Sequence, residues 1–340
     1  MPIRIFPDKI QIGNFNLFEG NGGVQFDGQA RAENFLGNQG FQGSVSGYNA
    51  GGLGGTPPFS SQNTIDKFPF ATNSNATDVG DLTQTRSLCS GQSSSSHGYS
   101  CGGSPVPTVG NSIDKFPFAA DTNASDVGDL TSNLIGSVGQ SSLSHGYVST
   151  GSNPSVGSVN TIQKFPFAVD TNTTDVGDTT VVGQQGSGQS SFTSGYTTGV
   201  WDGPDSPPSL KNTIDKFPFA TDTNATDVGD ITETGRGQAG QSSTVSGYRT
   251  SGYKGTPLNV RLNTIEKFPF ATDSNATDIA DLTRLTAFSA GQSSTTSGYT
   301  CGGEPPAQNN IDKFPFATDN NATDVGDLTQ GRYYVVGQQY

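Results

Sequence analysis

A chain of 340 residues has room for two average domains or one large repeat domain. Its 31% hydrophobic and 14% charged content, with 46 Gly, 19 Pro and 21 Phe, argues against long helices and against disorder alike. A net charge of −13 argues against electrostatic capture of nucleic acid or an anionic membrane, and no apolar run reaches the roughly 18 residues of a spanning helix.

Met1-Pro-Ile-Arg-Ile-Phe lacks a basic head followed by an apolar run, so no signal peptide is expected. The odd count of three cysteines (Cys89, Cys101, Cys301) fits reduced thiols and synthesis in a cytosol. Cys89 and Cys101 fall on neighbouring expected strands, where a disulfide needs facing geometry.

In chain order, Ile3–Phe6, Lys9–Phe18 and Val24–Ala32 read as strand-like runs. From there a repeat takes over. Lys-Phe-Pro-Phe begins at Lys67, Lys115, Lys164, Lys216, Lys267 and Lys313. An Asp follows each Lys by 14 residues, and a Gly-Gln pair begins 10 residues beyond that Asp. A Tyr falls 8 residues after the Gly, as in Gly91 to Tyr99, and Gly40 and Tyr48 keep that offset. Only the stretch from each Tyr to the next Lys varies: 19, 16, 17, 20, 19 and 14 residues. Constant spacing marks a packed framework, and variable spacing marks a surface loop, where insertions cost little.

Each repeat reads as four short strands. The first is the small-residue stretch of Gly91-Gln-Ser-Ser, followed by a two-residue turn at His97-Gly98. The second starts at Tyr99 and the third is Thr64–Phe70, with Phe68 and Phe70 on one face. The fourth is Thr77–Thr83. Pro69 removes a ladder donor, so a bulge or a strand end is expected there. Such a unit buries both faces only by stacking on copies of itself around an axis. Gly-Gln-Ser suits the crowded innermost strand, where Gln92, Gln140, Gln189, Gln241, Gln292 and Gln338 would line a water-filled axial channel.

The tail Arg332–Gln339 ends where a first strand would end. The expected fold is therefore all-β: a seven-bladed β-propeller closed by pairing of N- and C-terminal strands. Its last blade takes an inner strand from the C-terminus and three strands from residues 1–38. The alternative is six blades, with residues 1–38 as a small N-terminal anchor and 39–340 as the repeats.

The spacing resembles the kelch repeat over roughly residues 35–340: Tyr99 before Gly102-Gly103, Tyr299 before Gly302-Gly303, and an Asp121–Asn123 turn. The outer-strand Trp of that motif is absent, and the double glycine is lost after Tyr147, Tyr196 and Tyr248. The wording Asn-Thr-Ile-Asp-Lys-Phe-Pro-Phe-Ala-Thr-Asp resembles arrays in virion and tail-fibre proteins of marine cyanobacterial phages, as does Ile10-Gln-Ile-Gly-Asn-Phe-Asn. The resemblance implies a structural virion component (tail fibre, head fibre or decoration protein), made in the host cytoplasm and present in many copies per particle. Its partners would be other virion proteins or a host-surface glycan or protein.

Candidate sites follow. The turn Asp222-Thr-Asn224-Ala-Thr226-Asp227 sets oxygen atoms at alternate positions, the pattern a hard cation such as calcium takes. A self-bonded turn explains the same residues. The sequons at Asn75, Asn123, Asn172, Asn224, Asn275 and Asn321 read as turn residues in the same way. His97 and His145 stand where other repeats carry Ser, which points to solvent rather than to a triad. Arginines at 86, 236, 249, 261, 284 and 332 follow no repeated pattern, so no catalytic constellation emerges and no cofactor other than calcium is suggested. A glycan-cleaving propeller is the alternative class. The variable loops all leave one face and carry Phe59, Trp201, Asp202, Asp205, Tyr253, Lys254 and Arg261, the aromatic and charged anchors of a recognition surface.

Overall fold

The computed structural model describes residues 3–5, 9–12, 15–19, 42–55, 57–104, 110–203, 209–255, 260–304 and 306–340, and among them every regular element is a strand. The chain divides into two units, Met1–Asn38 and Gln39–Tyr340. In the first, Ile3–Ile5, Lys9–Ile12 and Phe15–Glu19 form a three-stranded antiparallel sheet. The expected run Lys9–Phe18 is thus split into two strands, and Val24–Ala32 lies outside the described residues.

The second unit is a propeller-like set of small antiparallel sheets. In the first sheet the strands run in chain order: Ser90–Ser93, His97–Cys101, Ser112–Pro117 and Ser125–Asp129. The next four repeats build their sheets in the same order, the third of them extended by a short side pair. The sixth sheet is a hybrid. Val336–Gln339 is its inner strand, and Ser46–Ala50, Thr64–Pro69 and Thr77–Asp81 complete it.

The described residues therefore hold six such sheets where seven were expected. The Gly-Gln, Tyr, Lys-Phe-Pro-Phe and Asp signals occur six times each in the matching strands, so the C-terminal inner strand completes the first repeat and leaves no additional sheet to fill. Closure by the C-terminal strand is present, but its partner is Ser46–Ala50 rather than a strand from residues 1–38.

The sheets meet in a closed cycle. A Cβ placed on Gly139 would fall 2.2 Å from the carbonyl oxygen of Gly91, and one on Gly337 would fall 2.2 Å from that of Gly291. The same contact then runs from Gly91 to the carbonyl oxygen of Gly337 at 2.4 Å, which completes the circle. Only glycine lets six inner strands approach this closely.

The ring of Gln side chains corrects an expectation. Gln92 donates from Nε2 to the Tyr147 carbonyl at 2.9 Å, and Gln338 donates to the Tyr99 carbonyl at 2.9 Å. Gln140, Gln189, Gln241 and Gln292 bond the neighbouring sheet in the same way. These amides are buried and staple sheet to sheet, because a polar head in that layer needs a partner. The axial cavity, about 130 Å³, is bounded by the Gly-Gln-Ser strands of all six sheets.

Between sheets the core is aromatic. Tyr99 stacks on Phe167 of the next sheet, with centroids 5.0 Å apart, and Tyr48 packs tilted on Phe118 at 4.9 Å. Each Phe-Pro-Phe thus sends its second ring to the preceding sheet. The first ring covers a glycine: Phe116 Cζ sits 2.3 Å from where a Gly98 side chain would begin. That corrects the reading of Gly98 as a turn residue. The turn lies one step earlier, closed by Ser94 N–H to the His97 carbonyl at 2.9 Å, and Gly98 is needed to seat the ring. Pro69 and its equivalents end their strands, as expected from the missing donor.

Polar straps reinforce the junctions. Thr83 donates N–H and O–H to buried Asp114, Thr180 to Asp215, Thr283 to Asp312 and Thr329 to Asp66. Glu266 takes the Thr232 N–H at the equivalent position. Three arginines answer acids of this row: Arg86 with Asp114 at 3.1 Å, Arg249 with Glu266 at 2.7 Å and Arg332 with Asp66 at 2.6 Å; Arg86 and Arg332 share one repeat position, five residues after Asp81 and Asp327.

Candidate functional site

The second strand of each sheet rises to one face of the unit and the third descends from it, so the variable loops share that face. The segments joining each outer strand to the next inner strand cross the same face. Six of their residues adopt left-handed backbone: Leu88, Gly136, Gln185, Gly237, Phe288 and Tyr334, with φ between 55° and 69°. Each donates its N–H to the carbonyl of the one before: Gly136 to Leu88 at 2.8 Å, Phe288 to Gly237 at 2.7 Å, and finally Leu88 to Tyr334 at 3.2 Å. The result is a closed hydrogen-bonded collar around the axis. Holding four non-glycine residues left-handed costs about 1–2 kcal/mol each, a strain that tends to gather at functional positions.

Side chains on the collar lean over their neighbours. Phe288 lies over Gly237, and Tyr334 packs on Phe288 with centroids 4.3 Å apart. Within the collar is a cavity of about 90 Å³ bordered by Gln185, Phe288 and Tyr334. Burial pushes the Tyr334 hydroxyl up to about 12, so it stays protonated at neutral pH.

An aromatic and cationic row continues outward. The short strand Tyr253–Lys254 pairs with Gly235–Arg236 on one side and with Val260–Pro269 on the other, so that Arg236 and Arg261 flank Tyr253 across the strands. Cross-strand partners share a face. The Arg236 guanidinium sits 5.9 Å and that of Arg261 5.0 Å from the Tyr253 ring centroid, and Arg236 also covers Trp201 at 4.3 Å. Tyr253 donates its hydroxyl to Glu304 at 2.7 Å.

Each residue singled out in the sequence has a defined place except Asp205, which lies outside the described residues. Trp201 is half-buried, bridging Gln184 and Leu210. Asp202 accepts from the Ser209 N–H at 2.9 Å and faces Lys211 at 3.7 Å. Lys254 pairs with Glu233 at 2.6 Å. Phe59 is exposed, edge-on to Tyr333 at 5.6 Å. Tyr253 is only 7% exposed, so it serves as the floor on which the arginines rest rather than as a projecting anchor.

Arg236, Phe288, Tyr333, Tyr334 and Glu304 complete the surface and were not among the loop candidates. Four of them lie in or beside segments of invariant length, which reads as buried framework. The available signal was variation of residue type at constant spacing: Leu88, Gly136, Gln185, Gly237, Phe288 and Tyr334 are equivalent positions with nothing in common chemically.

The opposite face holds the Asp-rich turns. Asp222 Oδ1 accepts from Lys164 Nζ at 2.6 Å, Asn224 Oδ1 from the Asp178 N–H at 3.1 Å, and Asp227 Oδ1 from the Gly229 N–H at 3.2 Å. Thr226 lies in the outer strand opposite Lys216. The Asp222 and Asn224 oxygens strap sheet to sheet, the Asp227 oxygen bonds within its own strand, and among the described residues no three His, Cys, Asp or Glu side chains converge as a metal site. His97 Nδ1 meets Ser96 Oγ at 2.8 Å, and His145 meets Ser144 at 2.8 Å. Burial lowers both imidazole pKa values, and no third side chain hydrogen-bonds either ring among the described residues. The three cysteines are free thiols, and burial pushes Cys89 up to about 12, which leaves it unreactive.

The chain matches no protein-family model and no curated protein. Its functional reading therefore rests on the geometry of the loop face and on the repeat wording.

Proposed function

We propose that the chain is a non-enzymatic binding component of a phage particle: a kelch-like propeller whose loop face engages a virion partner or a host-surface ligand. The observation that carries this reading is the continuous run of Trp201, Arg236, Tyr253 and Arg261 beside the collar of left-handed residues. Aromatic and Arg side chains concentrated on one rigid face are the composition of binding hot spots. A framework of near-identical sheets supplies no comparable concentration elsewhere among the described residues. The virion assignment is supported by the resemblance of the Lys-Phe-Pro-Phe array to phage fibre proteins.

Two measurements test it. Gold-labelled antibody raised against the chain should decorate purified phage particles; bare particles would remove the virion assignment. On immobilised bacterial surface polysaccharides, the full chain should bind and Trp201→Ala should weaken binding by about 2 kcal/mol, roughly thirtyfold, with the melting curve nearly unchanged. Equal binding by the variant would move the site off this face.

A further inference from the structure

Cations are scarce in this acidic chain, and almost all are committed. Five lysines of the repeat pair with an Asp of the next sheet, three arginines are locked to buried acids, and Lys211 and Lys254 have carboxylates of their own. Among the described residues of the ring unit, Arg236, Arg261, Arg284 and Lys313 have no carboxylate within ion-pair distance. Lys313 belongs to the row of repeat lysines and donates to Asn73 Oδ1 at 3.5 Å, where the other five meet an Asp. Arg284 still lies in the field of Asp312, Asp324 and Asp327. Arg236 and Arg261 remain, placed side by side across Tyr253 by strand register.

We propose that Arg236 and Arg261 form a site for an anionic saccharide, a sugar bearing a carboxylate or sulfate. The inference deepens the loop-face reading and rests on it. Two guanidinium groups on either side of one tyrosine repel each other, and the rings of Tyr253 and Trp201 hold them there by cation–π attraction. An anionic sugar laid along this row would meet one guanidinium on each side of Tyr253, each able to give the forked, charge-assisted contact that suits carboxylate and sulfate. The nearest acids do not fill the role. Glu233 is paired with Lys254, and Glu304 is held by the Tyr253 hydroxyl. A saccharide fits better than an acidic peptide. Val260–Pro269 is already paired along both edges, and the open edge of the side pair, Gly235–Arg236, is only two residues long, too short a ladder to hold an added strand. The collar cavity of about 90 Å³ is too small for a large apolar anchor, while the Arg236 guanidinium stacked over half-buried Trp201 gives a planar, polar surface suited to a sugar.

The test uses the full chain and three trisaccharides: trigalacturonate, a sulfated trisaccharide and an uncharged one, titrated calorimetrically at low and physiological salt. Either anionic sugar should bind and the neutral one should bind at least tenfold more weakly; the stronger of the two identifies carboxylate or sulfate as the group recognised. Arg236→Ala and Arg261→Ala should each lose at least tenfold, with Arg236→Lys intermediate because it keeps charge but not the fork. Circular dichroism melting confirms that the variants fold. No binding of either anionic sugar at millimolar concentration overturns the proposal. So does full binding in both alanine variants, or equal binding of tetraglutamate peptide. If polysaccharide binding survives both Arg variants but fails in Trp201→Ala, the loop-face reading stands and the anion site falls. If Trp201→Ala also binds normally, both fall.

Discussion

Arg332 Nη2 lies 2.6 Å from Asp66 Oδ2 with both side chains shut off from solvent, so an ion pair joins the last stretch of the ring unit to the strand Thr64–Pro69 near its start. Arg332 Nη1 also donates to the carbonyls of Gly51 and Thr64, at 2.9 and 3.0 Å, which fixes the closing segment in place. Burial depresses the guanidinium pKa, and Asp66 opposes that shift.

Breaking this pair from one side should cost about 3–5 kcal/mol, because it strands a buried charge. Asp66→Asn and Arg332→Met should each lower the unfolding free energy extrapolated from urea melts by that amount. The double variant should recover part of the loss, since neither charge is then left alone. A double-mutant cycle with no coupling would mean that the pair adds nothing to closure.

Gly139→Ala places a methyl group 2.2 Å from the Gly91 carbonyl oxygen, inside a ring that has no free edge on which to relax. The variant should lose folded monomer, seen as a lowered melting temperature and broadened elution. Gly157→Ala is the contrast: φ is 84° and nothing lies within 4 Å, so only the left-handed penalty of about 1–2 kcal/mol applies.

Asp215 is buried with Thr180 as its donor and without an ion-pair partner among the described residues, and burial raises its pKa. The folded state therefore holds the proton more tightly than the unfolded chain. Its contribution to stability is fully present below the unfolded carboxyl range and declines as pH rises through the raised folded value. Asp215→Asn removes the titration. The stability of Asp215→Asn minus that of the native chain should rise with pH across that window in denaturant melts; a flat difference would show that burial does not perturb this carboxyl. Gln163 already serves as a neutral residue at the equivalent position, accepting from the Thr131 N–H at 2.8 Å.

The Asp-rich turns should respond little to metal. Asp222 is exposed and engaged by Lys164, so Asp222→Ala should cost no more than about 1 kcal/mol. Adding millimolar calcium, or removing it with a chelator, should leave the melting temperature unchanged. A calcium-dependent rise would mean that the turn oxygens rearrange around the ion.

Much of the framework was legible because its signals are periodic. Constant offsets disclosed the four-stranded unit, Pro69 marked a strand end, and Arg332–Gln339 announced a closing strand. The blade count was missed because a repeat split between the two ends of the unit can be counted twice, once with each half. Gln92 and Gly98 were misassigned because residue type does not reveal direction: a glutamine beside the axis turned sideways into the next sheet, and a glycine was required by the Phe116 ring above it. The buried arginines were hidden because only two of the six repeats, at Arg86 and Arg332, carry one at the same position, although Asp66, next to Ile65 in a strand covered on both faces, called for a counter-charge. The Arg236–Tyr253–Arg261 row depends on the pairing of two-residue strands, which carries no periodicity to detect.

Because the inner strand of the sixth sheet is Val336–Gln339, a nascent chain emerging from the ribosome carries five completed sheets and one that lacks its central edge. Until Gln339 is released, the Gly91 and Gly291 edges face solvent. Premature stops or C-terminal trimming within this strand would then yield open arcs that recruit one another edge to edge, rather than shortened but functional subunits.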